Sequence, residues 1–446
     1  MTLKFGTDGV RGVANRELTP ELALDLGRAA ARVLGGDRWA IGRDTRRSGP
    51  LLAAALAAGL ASEGATVVDL GVLPTPGVAH AAATGGIGAA VVSASHNPFP
   101  DNGIKLFAPG GTKLPDEVEE ALEAELVTLG AAGDGGPRPV GAEVGTIEAD
   151  PGALDRYRRH LETSVLEGRR LDGLRLVLDT ANGAASAVAP GVFAALGATV
   201  TTVSDRPDGA NINEGCGSTH PEALQRIVVE RGADLGLAFD GDADRVLAVD
   251  AAGRLVDGDQ IIAVCAVDRH ARGRLANGTV VVTVMSNLGF RQGMAAHGIT
   301  VVDTAVGDRY VLEALDAGGH VLGGEQSGHL IFRDLATTGD GVLAGLVLAD
   351  VVHRSGRTLA DLAAGAMTRL PQVLLNVALA RRDPTVLDAV APAVARAEAE
   401  LGERGRVLLR PSGTEPLIRV MVEAPTEDEA RATAESLAEA VRAAAG

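Results

Sequence analysis

Leu22, Leu26, Ala30 and Val33 recur at helical spacing behind Thr19-Pro20. A hydroxyl cap followed by a proline, which the first turn tolerates, predicts that a helix begins there. The apolar run 39–42 predicts a short strand whose polar tip is Arg43-Asp44-Thr45-Arg46. A second helix is expected over 50–63 and a strand over 65–70. After them come a loop carrying Pro74-Thr75-Pro76 and a buried strand over 87–94 that ends in hydroxyls, a histidine and an Asp101-Asn102-Gly103 reversal. Strands alternating with helices predict parallel βαβ units, whose strand carboxyl ends form the binding edge.

The same rhythm recurs downstream. A helix over 114–126 leads into a Gly-, Pro- and Ala-rich connection to Asp150, and a helix near 154–165 opens a second unit. In that unit a strand over 174–178 ends in Asp179-Thr180-Ala181-Asn182-Gly183. A helix (188–196), a strand (199–203), a helix (221–231) and a strand over 233–239 that runs into acids follow. A third round starts with a helix from Asp257, then a Val-rich strand over 279–285 and Ser286-Asn287-Leu288-Gly289 opening another helix. The last segment differs: strands over 373–379 and 406–409 flank a helix over 385–404, and a strand (417–422) and a helix (428–445) close the chain. The expected domains are 1–150, 151–254, 255–368 and 369–446.

Length agrees with such a division, since 446 residues exceed what one ordinary core organises. Aromatic residues make up only 2% of the chain, so Ala, Val and Leu must build the cores. No apolar run reaches the ~18 residues of a membrane span, and the first residues lack a signal peptide's apolar stretch, so a cytoplasmic protein with no membrane partner is expected. A net charge of −17 argues against a nucleic-acid partner, and an anionic substrate then requires a local basic pocket. Cys216 and Cys265 have neither metal-site nor framework spacing and are read as small core or loop residues without a disulfide.

Candidate chemistry sits at strand ends and glycine-rich loops. Ser95 is the nucleophile candidate, sharing a face with Ser93 if the strand continues, and it needs a base or cation such as His96 or Lys105. Asp240-Gly241-Asp242-Ala243-Asp244-Arg245 puts three carboxylates on one tight turn. Such a cluster repels itself unless a cation is present, and oxygen-only ligands suit Mg²⁺ or Ca²⁺ rather than zinc. An EF-hand is excluded, because the loop's sixth and twelfth positions are Arg245 and Ala251. Arg410-Pro411-Ser412-Gly413-Thr414-Glu415-Pro416, with Arg419 beyond, combines cations, hydroxyls and a glycine as a phosphate cradle does. Gly323-Gly324-Glu325-Gln326-Ser327-Gly328-His329 offers the mixture that grips sugar hydroxyls or an amino group. Thr7-Asp8-Gly9-Val10-Arg11-Gly12 and Gly307-Asp308-Arg309-Tyr310 each add an arginine on a loop.

Taken together and in this order, these motifs closely resemble the α-D-phosphohexomutase family over essentially all 446 residues. Most specific are Ser93 to Pro98 with Asp101 to Lys105, the Asp240 to Arg245 loop, and Arg410 to Pro416. Phe5 to Gly12 and Glu325 to His329 tilt the resemblance to its glucosamine branch. Pro100 stands where an aromatic is usual, and the Gly133 to Pro139 linker is atypical. The resemblance implies an α/β architecture: three consecutive α/β domains with mixed sheets plus a smaller C-terminal α+β domain around a central cleft. It implies that Ser95 is a phosphoserine carrier which, with Asp240, Asp242 and Asp244, holds Mg²⁺. Arg11, Arg245 and Lys105 would neutralise the transferring phosphoryl group, and Lys105, His96 and His329 are the candidates for moving a proton. Glu325, Ser327 and His329 would contact the sugar, and Arg410, Ser412, Gly413, Thr414 and Arg419 its far phosphate. The reaction implied is conversion of glucosamine 6-phosphate to glucosamine 1-phosphate, on the route to UDP-N-acetylglucosamine, with phosphomannomutase or phosphoglucomutase activity as the alternative. The partner is a small sugar phosphate, and a homodimer is compatible with the sequence.

Overall fold

Every residue of the strand Gly88–Val92 is buried, and a sheet is assembled on both sides of it. In this computed structural model, which describes residues 6, 9–132, 138–381, 383, 385–411 and 416–445, the strand order is Val10–Val13, Asp101–Phe107, Gly88–Val92, Arg38–Arg43, Thr66–Val72, Ile147–Ala149. Arg38–Arg43 runs parallel to both Gly88–Val92 and Thr66–Val72, whereas Asp101–Phe107 is antiparallel to Gly88–Val92. The helices Pro20–Leu34 and Gly49–Ser62 cross where glycine is required: a Cβ on Gly27 would lie 2.3 Å from the Leu56 carbonyl oxygen, and one on Gly59 would lie 2.1 Å from that of Leu24. Leu26, Leu52, Leu56 and Leu60 fill the core there with Trp39, Ile41 and Val92.

The structure corrects four readings of the pattern. Pro74-Thr75-Pro76 is the start of a helix, Thr75–Gly85, because prolines suit a first turn and Val78, Ala79 and Ala82 bury one face. The strand stops at Val92, and Ser95 adopts φ 51°, so Ser93 and Ser95 do not share a strand face. Asp101-Asn102-Gly103 is the beginning of a strand; the reversal lies in the residues before it. The connection to Asp150 supplies an edge strand, Ile147–Ala149, parallel to Thr66–Val72. Residues 133–137 of the atypical linker lie outside the described residues.

Two further sheets present their turns to the same body. One has the order Leu255–Val256, Val246–Asp250, Leu235–Phe239, Arg175–Asp179, Thr199–Val203, and its antiparallel hairpin between Phe239 and Val246 carries the three-aspartate turn. The other has the order Thr300–Thr304, Thr279–Thr283, Leu322–Gly324, Leu330–Phe332, and Glu325 to His329 is the turn of its terminal hairpin. The chain packs as two compact units, Met1–Met285 with Ile299–Ala364, and Ser286–Gly298 with Gly365–Gly446. In the second unit the antiparallel strands Gln372–Ala378, Leu417–Glu423 and Arg406–Pro411 support the helices Thr385–Leu401 and Glu427–Ala445, an α+β arrangement. Cys216 and Cys265 are buried free thiols, and among the described residues no helix is long and apolar enough to cross a membrane.

Asp340 joins several elements of the first unit. Its Oδ1 accepts from the Leu343 N–H at 2.9 Å, capping the helix Gly341–Ser355, and its Oδ2 accepts from the Tyr157 hydroxyl at 2.7 Å. Burial pushes its carboxyl up from 3.8 to about 6. A raised acid binds its proton more tightly in the folded state, so its contribution is fully present below the unfolded value and is lost as pH rises through about 6. Thermal melting across pH 4 to 7 is expected to show Asp340→Asn gaining on the parent chain as pH rises, by about 2–3 kcal/mol for a shift of roughly two units. Parallel curves would contradict this assignment.

Candidate active site

The end of the strand Gly88–Val92 is held by a buried ion pair. Asp44, at the tip of the strand Arg38–Arg43, accepts from Arg46 Nε at 2.9 Å and from Ser93 Oγ at 2.6 Å. The Ser93 hydroxyl in turn accepts from the Ser95 N–H at 3.0 Å. The rest of the Arg46 guanidinium donates to backbone carbonyls, at 2.9 Å to Ser95, 2.8 Å to Asn97 and 2.6 Å to Pro98. Asn213 adds a second donor to the Ser95 and Asn97 carbonyls, at 2.9 and 3.0 Å. This clamp offsets the cost of a left-handed backbone at Ser95, which for a non-glycine residue is about 1–3 kcal/mol. Gly241 completes it, since a Cβ there would lie 2.6 Å from the Ser95 carbonyl oxygen.

With that backbone fixed, Ser95 Oγ donates to Asp240 Oδ2 at 2.5 Å and stands 3.2 Å from His96 Nδ1. Asp240, Asp242 and Asp244 are buried, and one carboxylate oxygen from each lies within 4.8 Å of the others. Burial, together with the charges of Asp244 and Asp242, drives the Asp240 carboxyl well above its ordinary range. Burial alone would also raise Asp244, but Lys105, His329 and Arg245 carry it well below. Lys105 Nζ lies 3.5 Å from Asp244 Oδ2, and His329 Nδ1 lies 3.6 Å from the same oxygen. His329 also faces Asp308, with Nε2 to Oδ2 at 3.3 Å, and Asp308 pairs with Lys113. Burial would lower the His329 pKa, yet Asp244 and Asp308 together raise it, whereas burial, Arg245 and Arg11 lower that of His96.

Asp242 Oδ1 and Asp244 Oδ1 are buried oxygens with no hydrogen-bond partner among the described residues. Buried oxygens that accept no hydrogen bond carry a desolvation cost, and an all-oxygen anionic set of this kind fits a hard divalent cation. The residues present therefore fit a metal site.

The sugar-type loop is docked on this centre. The Gly328 N–H donates to the Glu325 carbonyl, and the Val246 N–H donates to the Gly328 carbonyl, each at 3.0 Å. Glu325 is half-buried and accepts from the Gly307 N–H at 3.2 Å, Ser327 is exposed, and His329 is buried against Asp244. Arg11 is half-buried on the strand Val10–Val13, opposite Gly103, and Arg245 Nε lies 3.8 Å from Asp244 Oδ1. Arg309 is not a surface cation: it is buried and tied to Asp116 and Glu119.

In the other compact unit, Arg410 and Arg419 are directly opposite each other on antiparallel strands. Burial and the Arg419 charge lower the Arg410 pKa. Facing guanidinium groups repel, so an anion between them would stabilise the pair. Ser412, Gly413, Thr414 and Glu415 lie outside the described residues, as do Thr7 and Asp8.

Sequence reasoning missed Asp44, Arg46, Thr75 and Asn213. The signal available for the first two was the charged tip Arg43-Asp44-Thr45-Arg46 directly after an apolar strand. Arg46→Ala is expected to cost about 3–5 kcal/mol, because it leaves Asp44 buried and unpaired, and to reduce turnover by releasing the Ser95 carbonyl. Melting temperature and rate measured on the same preparation check this; an unchanged melting temperature would refute it.

Four family models match in chain order: phosphoglucomutase/phosphomannomutase alpha/beta/alpha domain I over residues 2–131, domain II over 155–253, domain III over 257–370, and the C-terminal domain over 374–440. The chain is 57% identical to the phosphoglucosamine mutase of Frankia alni, covering 100% of this chain and 99% of that protein. It is 56% identical to the phosphoglucosamine mutase of Symbiobacterium thermophilum, with 99% of each covered. A solved phosphoglucomutase/phosphomannomutase family protein from Burkholderia thailandensis superposes with a TM-score of 0.80 at 26% identity, covering 98% of this chain and 97% of that one. With all four domain models in register and full-length relatives above half identity, this chain belongs to the phosphoglucomutase/phosphomannomutase family.

Proposed function

We propose that this chain interconverts glucosamine 6-phosphate and glucosamine 1-phosphate through a phosphoserine at Ser95 and a bisphosphate sugar, supplying the 1-phosphate for UDP-N-acetylglucosamine. The observation that carries this reading is Ser95 Oγ, held 2.5 Å from Asp240 within a buried three-aspartate cluster in which two oxygens accept no hydrogen bond from the described residues. Full-length identity to proteins named phosphoglucosamine mutase supports the glucosamine substrate over mannose or glucose phosphates.

Asp240, Asp242 and Asp244 with Ser95 would hold Mg²⁺, which when bound supplies charge neutralisation for the transferring phosphoryl group. Phosphoryl transfer asks mainly for positioning and charge compensation, and Lys105, Arg11 and Arg245 are the cations of the first unit that serve it. Transfer of the phosphoryl group from Ser95 to a sugar hydroxyl forms the sugar O–P bond and breaks the Ser95 Oγ–P bond, the hydroxyl's proton passing to Ser95 Oγ; return of the second phosphate to Ser95 passes that proton to the sugar oxygen left behind. His96 is the group placed to relay that proton, because Nδ1 stands 3.2 Å from Oγ. His329, whose pKa Asp244 and Asp308 raise, faces those two carboxylates beside the loop over 325–329 instead. Glu325 and Ser327 would grip hydroxyls common to both orientations of the intermediate. Arg410 and Arg419, with Ser412, Gly413 and Thr414, would take the far phosphate.

Ser95→Ala is expected to abolish net turnover while leaving sugar-phosphate binding intact. Ser93→Ala should lower stability, since it loses bonds to Asp44 and Ser95, and yet keep a measurable rate. Intact mass after incubation with a hexose bisphosphate should rise by one phosphoryl group in the parent chain and not in Ser95→Ala; uptake by Ser95→Ala would place the carrier elsewhere.

Substrate choice follows from charge. The ammonium on the sugar's second carbon differs from a hydroxyl by a full charge, and the nearby Glu325 carboxylate favours it. Glucosamine 6-phosphate should show the higher kcat/KM on the phosphorylated enzyme, with glucose phosphates slow. Equal efficiency, or a preference for mannose or glucose phosphates, would move the chain to the other branch of the family.

A further inference from the structure

Each aspartate of the acidic turn is held by its own partners. Asp240 is engaged at both oxygens, by Ser95 Oγ and by the Arg245 N–H. Asp244 has Lys105 and His329 at Oδ2. Asp242 has one side-chain partner among the described residues, and it comes from the start of the helix Thr75–Gly85 in the same unit. Thr75 Oγ1 donates to Asp242 Oδ2 at 2.6 Å, and the Thr75 N–H donates to the Asp242 carbonyl oxygen at 3.0 Å.

We propose that Thr75 is the positioning residue of the metal centre, choosing which Asp242 oxygen is presented to the cation. This rests on the reading of the three aspartates as a divalent-cation site. A carboxylate turns about its last torsion in a broad two-fold well, so burial alone does not select an oxygen. A hydroxyl has a single proton to give, and here it is committed to Oδ2, which leaves Oδ1 as the buried, unpartnered atom.

The Thr75 hydroxyl is itself rigidly carried. Thr75 is 1% exposed and is the first residue of the helix Thr75–Gly85, with Pro74 before it and Pro76 after it fixing the local backbone. The helix is anchored by Val78, Ala79 and Ala82, all fully buried. Thr75 thus ties the domain that carries Ser95 to the turn that carries the metal ligands. A partner of this kind outside the coordinating atoms is worth about 10–100-fold in metal affinity.

The test is calorimetric titration of Mg²⁺ and Mn²⁺ into the full chain without substrate. Thr75→Val removes the hydroxyl and keeps the shape and the N–H, so it should bind either ion at least about 10-fold more weakly. Thr75→Ser retains the hydroxyl, and with it the bond that orients the carboxylate, so it should stay within about 3-fold of the parent chain. Thr75→Ala, also lacking the hydroxyl, should weaken binding as Thr75→Val does, which keeps the test open if one variant folds poorly. Turnover lost in Thr75→Val should return largely at high metal concentration. Parent-like affinity in the folded hydroxyl-free variants overturns the proposal, as does Thr75→Ser binding as weakly as Thr75→Val. A parent chain that takes up neither ion overturns the metal reading itself, and this inference with it.

Discussion

Three carboxylates are buried on a turn of five residues, and their mutual repulsion is the constraint that the surrounding structure answers. Burial favours the neutral acid and so do like charges nearby, which is why Asp240 is driven upward. The fold responds in two ways. Lys105, His329 and Arg245 bring positive charge to Asp244, and Ser95, Thr75 and the Arg245 N–H satisfy individual oxygens. Asp242 Oδ1 and Asp244 Oδ1 are left without a hydrogen bond among the described residues, which fits a cation site.

The same constraint explains why the serine loop is so heavily restrained. Ser95 must bring its hydroxyl to Asp240 from a separate sheet, and the route there requires a positive φ. Asp44, Arg46 and Asn213 act on the backbone of that loop, leaving the Ser95 hydroxyl free to face the acids. A buried ion pair contributes little to stability against an apolar alternative, so the Asp44–Arg46 pair is better understood as fixing one conformation of a reactive loop. The turn over 325–329 is fixed by close backbone packing as well, with Gly328 lying against Val246 where a Cβ would meet the Val246 carbonyl oxygen at 2.4 Å.

The sequence by itself determined the element types over most of the chain, because the apolar periodicities of the helix Pro20–Leu34 and of the strand Leu235–Phe239 are strong and local. It also indicated the chemical character of the candidate site, since an acidic triplet on one tight turn points to a cation and the serine and glycine-rich motifs stand out by residue type, while the burial that makes the turn fit a cation came from the fold. It did not determine strand direction. Asp101–Phe107 pairs antiparallel to its neighbour, where the alternation predicted parallel units, because the short connection over 93–100 holds no crossover helix. It did not reveal the helix at Thr75 either, since Pro-Thr-Pro signals a turn and the start of a helix equally. Tertiary structure alone decided the partners of the reactive groups. Thr75 and Asp242 are 167 residues apart, and Ser95 and Asp240 are 145 apart. Hydrogen bonds at such separations depend on how sheets pack, which local propensity does not encode.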